Sequence, residues 1–206
     1  FSTARMQELH SYIKELDQSE DVTSIILYGG EDNSFSIGGD FNELSKYKER
    51  EEVENFINIV ADHYVDILSL SKPVIAAIDN YAIGYGFQLA LLCDYRIGST
   101  RSSFCMSELA INFGAYLMEK YLGRGCMQKL LYNCNFVDAT EALRINILHE
   151  VVSPESLIAY AIEKAKKFSE YANTAFIGTK WTANRDIVYG LRIIREEGIR
   201  NNSENF

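Results

Sequence analysis

Met6, Leu9, Ile13 and Leu16 recur three or four residues apart, a spacing that predicts an amphipathic helix at the start of the chain. The polar stretch after it gives way to residues 23–28 (TSIILY), a β-branched run closed by Gly29 and Gly30 that reads as a buried strand. Beyond a polar loop, Ile37-Gly38-Gly39-Asp40 leads into a second helical start. Over residues 51–70 the apolar positions Val53, Phe56, Ile57, Val60 and Tyr64 form one stripe of a long helix. Residues 73–78 (PVIAAI) are apolar throughout, as in a strand buried on both faces, and end in the turn Asp79-Asn80. Gly84-Tyr85-Gly86 then opens a helix that runs through Leu91. Helices are predicted over residues 116–132 and 139–145, a short strand over 149–152, and a mostly helical tail in which Pro154 takes a first-turn position. Buried strands alternating with helices place the chain in the α/β class.

Composition narrows the function classes. Of 206 residues, 47% are hydrophobic and 24% charged, which suits a folded domain with its own core. No apolar run is long enough to cross a membrane as a helix. The net charge of −9 argues against nucleic acid as a partner, since phosphate contacts need clustered Lys and Arg. Small anionic ligands stay open, because helix N-termini can hold them. Cys93, Cys105, Cys126 and Cys134 contain no CxxC pair and match neither a disulfide framework nor a zinc site. They are expected to be buried thiols of a reducing compartment, which suggests a cytoplasmic protein. His10, His63 and His149 have no metal-ligand spacing, so no metal is implied. Trp181 and the tyrosines near the end are expected in the core.

Two segments repeat one arrangement of buried strand, glycine turn and helix: TSIILYGG…SFSIGGDF and PVIAAIDNYAIGYGFQLA. Glycine lets the backbone come close to a ligand, and the first turn of a helix presents N–H groups without intrahelical partners. Two such donors aimed at one oxygen form an oxyanion hole, which stabilises charge developing on a carbonyl. Equally, Gly38, Gly39, Gly84 and Gly86 can simply close tight turns, and spacing alone favours that reading. A phosphate loop does not fit, because no Lys-Ser or Lys-Thr follows the glycines, and the third glycine of a dinucleotide fingerprint is missing.

The motifs taken together resemble a known family. LSKPVIAAIDNYAIGYGFQLALLCDYRIGS resembles the central signature of the crotonase (enoyl-CoA hydratase/isomerase) family, and SFSIGGDFNEL resembles its first oxyanion-hole loop. The likeness continues through SSFCMSELAI, the GRGCMQKLLY helix start and VDATEALRINILHEVV, in the family's order, over about residues 1–170. Within the family, YGGEDNSFSIGGDFNEL and YAIGYGFQLAL are most similar to carboxymethylproline synthases, which decarboxylate malonyl-CoA and join the enolate to a pyrroline ring.

The resemblance implies a spiral of ββα units over residues 1–153, followed by a helical region, 154–206, that mediates trimerisation, with trimers or hexamers as the assembly. It implies a coenzyme A thioester as substrate and no bound cofactor. The oxyanion donors it implies are the backbone N–H groups of Gly39 and Tyr85, with Ile37, Gly38, Gly84 and Phe56 lining the substrate site. From its position on an apolar stripe, Phe56 reads as core, and Asp40 reads as a helix cap. At the family's two acid positions stand Gln88 and Glu108. An amide exchanges no proton at neutral pH, so two-acid hydration of an enoyl thioester is weakened. Decarboxylation of a malonyl thioester generates an enolate without a base, and Gln88 with Glu108 is the pair that carboxymethylproline synthases carry. The alternatives are a hydratase, isomerase or thioester hydrolase using Glu108 alone, or a binding protein without catalysis. Relatives carry a strand before the first helix and a longer glycine-rich stretch after the second acid, so residues are expected to be missing ahead of Phe1 and near Gly114.

Overall fold

Ser2 caps the first helix, α1 (Thr3–Gln18), by accepting from the Arg5 N–H, and the apolar stripe buries Met6 and Ile13. The computed structural model describes residues 1–107, 113–170 and 174–204. Strand β1 (Ile25–Tyr28) is followed by the short α2 (Phe41–Leu44) and the long α3 (Arg50–Ser69). At the head of α3 the side chains and backbones of Glu49 and Glu52 cap each other reciprocally. Then come β2 (Val74–Ile78), β3 (Tyr81–Ile83), α4 (Tyr85–Leu92), β4 (Tyr95–Ser99), β5 (Ser103–Cys105), α5 (Phe113–Leu122) and α6 (Arg124–Asn133). The chain finishes with β6 (Val137–Asp138), α7 (Ala139–Arg144), β7 (Glu150–Val152), a 3₁₀ turn at Pro154–Ser156, α8 (Leu157–Ser169) and α9 (Thr174–Glu204).

The strands divide between two sheets. One is parallel throughout, in the order β1-β2-β4-β7; the other has the order β3-β5-β6, with β5 and β6 antiparallel. Successive units therefore place one strand in each sheet and then turn into a helix: β2-β3-α4, then β4-β5-α5. The first unit follows the same path in reduced form, since β1 lies in the larger sheet and Ser36 makes a single parallel bridge to Ala82 of β3. This is the expected spiral of ββα units.

Both faces of β2 are covered, which is why it reads as an unbroken apolar run, while β1 at the sheet edge buries Ile25 and Leu27 and leaves Tyr28 exposed. Ile75, Ala77 and Ile97 face Leu157, Ala161 and Ala165 of α8. Ala76 and Ile78 face the main core with Phe56, Val60, Tyr64 and Ile67 of α3. Helix α9 lies along α3, tied by Asn184 Nδ2 donating to the Leu68 carbonyl at 3.0 Å and by Arg195 paired with Asp62 at 2.9 Å.

Several expectations change. The helical stretch 116–132 is two helices, because Gly123 takes a φ of 82° between α5 and α6. Strands β3, β4, β5 and β6 were not expected: three of them have three residues or fewer, and β4 has Arg96 at its second position. That guanidinium is buried because it donates to the carbonyls of Ile147 at 2.6 Å and Cys93 at 3.1 Å. Trp181 is 60% exposed and Tyr189 is exposed beside it, so the face of α9 that carries them is not core. Only Cys93 and Cys105 are buried; Cys126 is half-buried and Cys134 exposed, at the end of α6.

Candidate active site

The two glycine loops lie against each other. Ser36 donates its N–H to the Tyr81 carbonyl at 3.0 Å and accepts at its own carbonyl from Ile83 N–H at 2.9 Å. The first loop is thus stitched to β3, the strand that leads directly into the second. At Gly86 a Cβ would stand 2.5 Å from Ser36 Cβ and 2.6 Å from its carbonyl oxygen, so this closeness requires glycine. Gly84, at φ 52° and ψ −118°, makes the sharp turn from β3 into α4, and its N–H is held by the Cys105 carbonyl at 2.9 Å. The first intrahelical bond of α4 is Gln88 N–H to the Gly84 carbonyl at 3.0 Å. Tyr85 therefore sits ahead of that bond, at the positive end of the helix. In the first loop Gly38 has φ 93°, and its N–H points back to Ser36 Oγ at 3.3 Å, so that Gly39 is the next donor along the loop.

Two adjacent residues of α3 hold two residues of α4. The Tyr85 hydroxyl is hydrogen-bonded to Nδ1 of His63, and its ring stacks on Tyr64 at 5.9 Å. The Tyr64 hydroxyl donates to Gln88 Oε1 at 2.7 Å, and Gln88 Nε2 faces the Met106 sulfur at 3.7 Å. All four side chains are buried, Tyr64 completely and Gln88 to 2% exposure. Burial first and the neighbouring His10 second push His63 down to about 3, so the imidazole stays neutral. His63 Nε2 has no hydrogen-bond partner among the described residues. The described residues thus set two buried tyrosines, a neutral histidine and one amide behind the two glycine loops. Such surroundings strengthen any dipole aimed at a developing charge.

Comparison with known proteins shows the family of the chain. The profile of the enoyl-CoA hydratase/isomerase family matches residues 1–196. The chain belongs to the crotonase family. It is 34% identical over 200 residues to a carboxymethylproline synthase of Pectobacterium carotovorum subsp. carotovorum, covering 95% of this chain and 80% of the relative. It is 31% identical over 187 residues to a short-chain-enoyl-CoA hydratase of Clostridium acetobutylicum, covering 87% of this chain and 70% of that one. Among solved structures, ThnE from S. clavuligerus superposes with a TM-score of 0.85 at 38% identity, over 98% of this chain and 93% of its own. An enoyl-CoA hydratase from Bacillus halodurans, at 20% identity and TM-score 0.86, shares the fold.

The crotonase fold brings most of the expected residues together. Gly38, Gly39, Gly84 and Tyr85 lie on the two stitched loops, with Gln88 one turn into α4. Ile37 is 67% exposed on the first loop, where a ligand can reach it. Phe56 is buried in the core with its ring 6.0 Å from that of Tyr47, as its place on the apolar stripe led one to expect. Asp40 caps α2, its Oδ1 accepting from Asn42 N–H at 2.9 Å and from Glu43 N–H at 3.4 Å. Glu108 lies outside the described residues; Met106, two residues before it, contacts Gln88. No cluster of three or more metal-ligating side chains occurs among the described residues. Sequence reasoning missed His63, Tyr64 and Ser36. The stripe of α3 hid the first two among core positions, although a hydroxyl buried on such a stripe must find a partner.

Proposed function

We propose that this crotonase stabilises a thioester enolate made by decarboxylating malonyl-CoA and transfers it to an electrophilic carbon, as in a carboxymethylproline synthase. The observation that carries the reading is Gln88, which occupies an acid position of the family and is buried behind the two loops with its carbonyl committed to Tyr64. In this reading the thioester oxygen sits between the N–H groups of Gly39 and Tyr85. The bond from the α-carbon to the malonyl carboxylate breaks, carbon dioxide leaves, and the electron pair moves through the α-carbon onto the thioester oxygen. The oxyanion donors lower the barrier because charge grows on that oxygen only as the bond breaks. The enolate carbon then attacks the C=N carbon of a pyrroline carboxylate, the nitrogen takes up the electron pair, and a carboxymethylproline thioester results. Glu108 orients the acceptor or manages its proton. No cofactor enters the balance, and coenzyme A serves as the carrier. Ile37, Gly38 and Gly84 shape the acyl channel in this scheme, and Phe56 supports it only from the core behind.

A second reading keeps the scaffold and changes the substrate: hydration or isomerisation of an enoyl thioester, or hydrolysis of an acyl thioester, with Glu108 as the single acid. The similarity to the Clostridium enoyl-CoA hydratase favours it. Turnover of malonyl-CoA, alone and with pyrroline-5-carboxylate, by the native protein and by Glu108→Ala separates the readings. The first expects a carboxymethylproline thioester or its acid, lost in the variant while the CoA ester still binds; turnover unchanged in Glu108→Ala counts against the assigned role.

The assembly proposed is a homotrimer or a pair of trimers in the cytoplasm. Its support is the apolar face that α9 exposes, with Ile177, Trp181, Tyr189 and Ile193 each at least 41% accessible at helical spacing. Sedimentation of the purified protein tests it, a monomer at micromolar concentration being the contrary result.

A further inference from the structure

At the opposite end of α4 from the glycine loops lies a separate cavity of about 490 Å³. Arg96 of β4, Tyr121 of α5, Asn146 and His149 between α7 and β7, and the pair Asp94 and Lys180 line it. Arg96 and Lys180 are 4% and 5% exposed, whereas Asn146 and His149 are exposed at its mouth. The Lys180 ammonium is matched by the Asp94 carboxylate at 2.6 Å. Arg96 has no such match. Its partners among the described residues are the carbonyls of Ile147 at 2.6 Å, Cys93 at 3.1 Å and Asn146 at 3.5 Å, the His149 ring, and the face of Tyr121 at 5.6 Å. Carbonyl dipoles occupy its N–H groups without cancelling its charge, and a buried guanidinium ordinarily has an anion beside it.

The His149 ring points to the same need. Its Nδ1 accepts the backbone N–H of Arg96 at 3.0 Å, so the hydrogen of the neutral imidazole is on Nε2. Burial and then Arg96 keep the ring neutral, with its pKa lowered to about 4. Yet Nε2 lies 3.0 Å from Nη2 of Arg96, and a guanidinium can only donate. Two donors therefore face each other. An acceptor oxygen standing off the line between them, within hydrogen-bond distance of both, turns this conflict into two hydrogen bonds. The cavity that both side chains line is where such an oxygen can stand. A water would satisfy the donors but leave the guanidinium charge uncancelled.

We propose that this cavity is a binding site for a small oxyanion, a carboxylate or a phosphate, one oxygen of which bridges His149 Nε2 and Arg96 Nη2. The bound anion adds a link between β4, the turn before β7 and the Lys180 face of α9. The site stands apart from the acyl-CoA reading, and its test contains no CoA ester.

The test uses the whole chain, isotope-labelled at the nitrogens of its three histidines, with sodium phosphate or sodium acetate titrated against sodium chloride of equal ionic strength. A saturable shift of the His149 ring nitrogens is expected, with His10 and His63 unmoved. By calorimetry with the same anions, His149→Phe and Arg96→Lys are each expected to weaken binding at least about tenfold, the loss of one hydrogen bond to a charged group. His149→Phe can keep the ring stack on Tyr95 and stands at an exposed position, so it retains the test should Arg96→Lys fold poorly. Saturation by phosphate alone assigns a tetrahedral oxyanion and saturation by acetate alone a carboxylate; either supports the site. No saturable shift of His149 with either anion means that the donors meet water only, and overturns the proposal. Binding left unchanged by His149→Phe marks an adventitious ion only, and overturns it equally.

Discussion

Gln88 is held through its carbonyl by the hydroxyl of Tyr64, 2.7 Å away, and in the proposed reading it stands where the two-acid members of the family carry a carboxylate. A carboxyl group put there would meet the same hydroxyl and gain a proton to exchange. Gln88→Glu is therefore expected to raise crotonyl-CoA hydration at least about tenfold, within the span that a positioned acid or base contributes, and to depress malonyl-CoA turnover. Initial rates with both esters check this. A variant that gains no hydration would mean that the amide is not what separates this protein from a hydratase.

Gly86 and Ser36 set how closely the two loops approach. Because a methyl group on Gly86 would meet the Ser36 backbone as well as its side chain, no rotamer change relieves it. Gly86→Ala is expected to cost about 1–3 kcal/mol of stability and to lower turnover more than substrate affinity, since the donors move while the acyl channel stays. Urea unfolding with kcat and KM on the same preparation measures both effects.

Lys180 anchors α9 to the body of the fold. Its ammonium, on a residue 5% exposed, pairs with Asp94 at 2.6 Å and donates to the Lys72 carbonyl at 3.2 Å, while Asp94 also accepts from Val74 N–H at 2.8 Å. Removing one member of such a pair leaves the other charge desolvated, so Lys180→Ala is expected to cost about 3–5 kcal/mol. Lys180→Met, which keeps the stem, is expected to cost nearly as much, which distinguishes loss of charge from loss of packing. Denaturant melts of both variants provide the comparison.

Acid should weaken the protein in two stages. Burial raises Glu150, but hydrogen bonds from Lys164, Tyr160 and Tyr95 outweigh it and bring the carboxyl down to about 2. A depressed carboxylate stabilises the fold above its unfolded value, and that contribution is lost as pH falls from about 4.5 through 2. Neutral His149, lowered to about 4 by burial and then by Arg96, and neutral His63 at about 3 add a loss that begins earlier, as pH drops below about 6.5, where the unfolded chain starts to bind their protons. Stability against pH for the native protein and for Glu150→Gln tests the sign. The difference between them is expected at pH 7 and should vanish near pH 2.

Much of this architecture is legible in the sequence. Residues 73–78 announce themselves as a strand because both faces are buried, residues 23–28 do so by their β-branched run although Tyr28 is exposed, and the stripe of α3 marks a helix laid on a core. The glycine turns are legible as turns, and three of their glycines, Gly30, Gly38 and Gly84, do occupy positive φ. Strands of two or three residues such as β3, β5 and β6 cannot establish an alternation, and their pairing across the second sheet is set by distant parts of the chain. Trp181 misled because a large aromatic on an amphipathic helix looks alike whether it faces its own core or the outside. The clamp of His63 and Tyr64 on Tyr85 and Gln88 joins residues 22 to 24 positions apart, and only the fold brings their polar atoms together.

The most direct measurement of the enolate chemistry is a mass-spectrometric comparison of malonyl-CoA and crotonyl-CoA incubated with the same preparation, the malonyl arm run in deuterated water with and without pyrroline-5-carboxylate. Enolate formation by decarboxylation predicts deuterated acetyl-CoA from malonyl-CoA alone, a carboxymethylproline product when the pyrroline is present, and little hydration of crotonyl-CoA. Malonyl-CoA recovered intact beside rapid formation of hydroxybutyryl-CoA would contradict it.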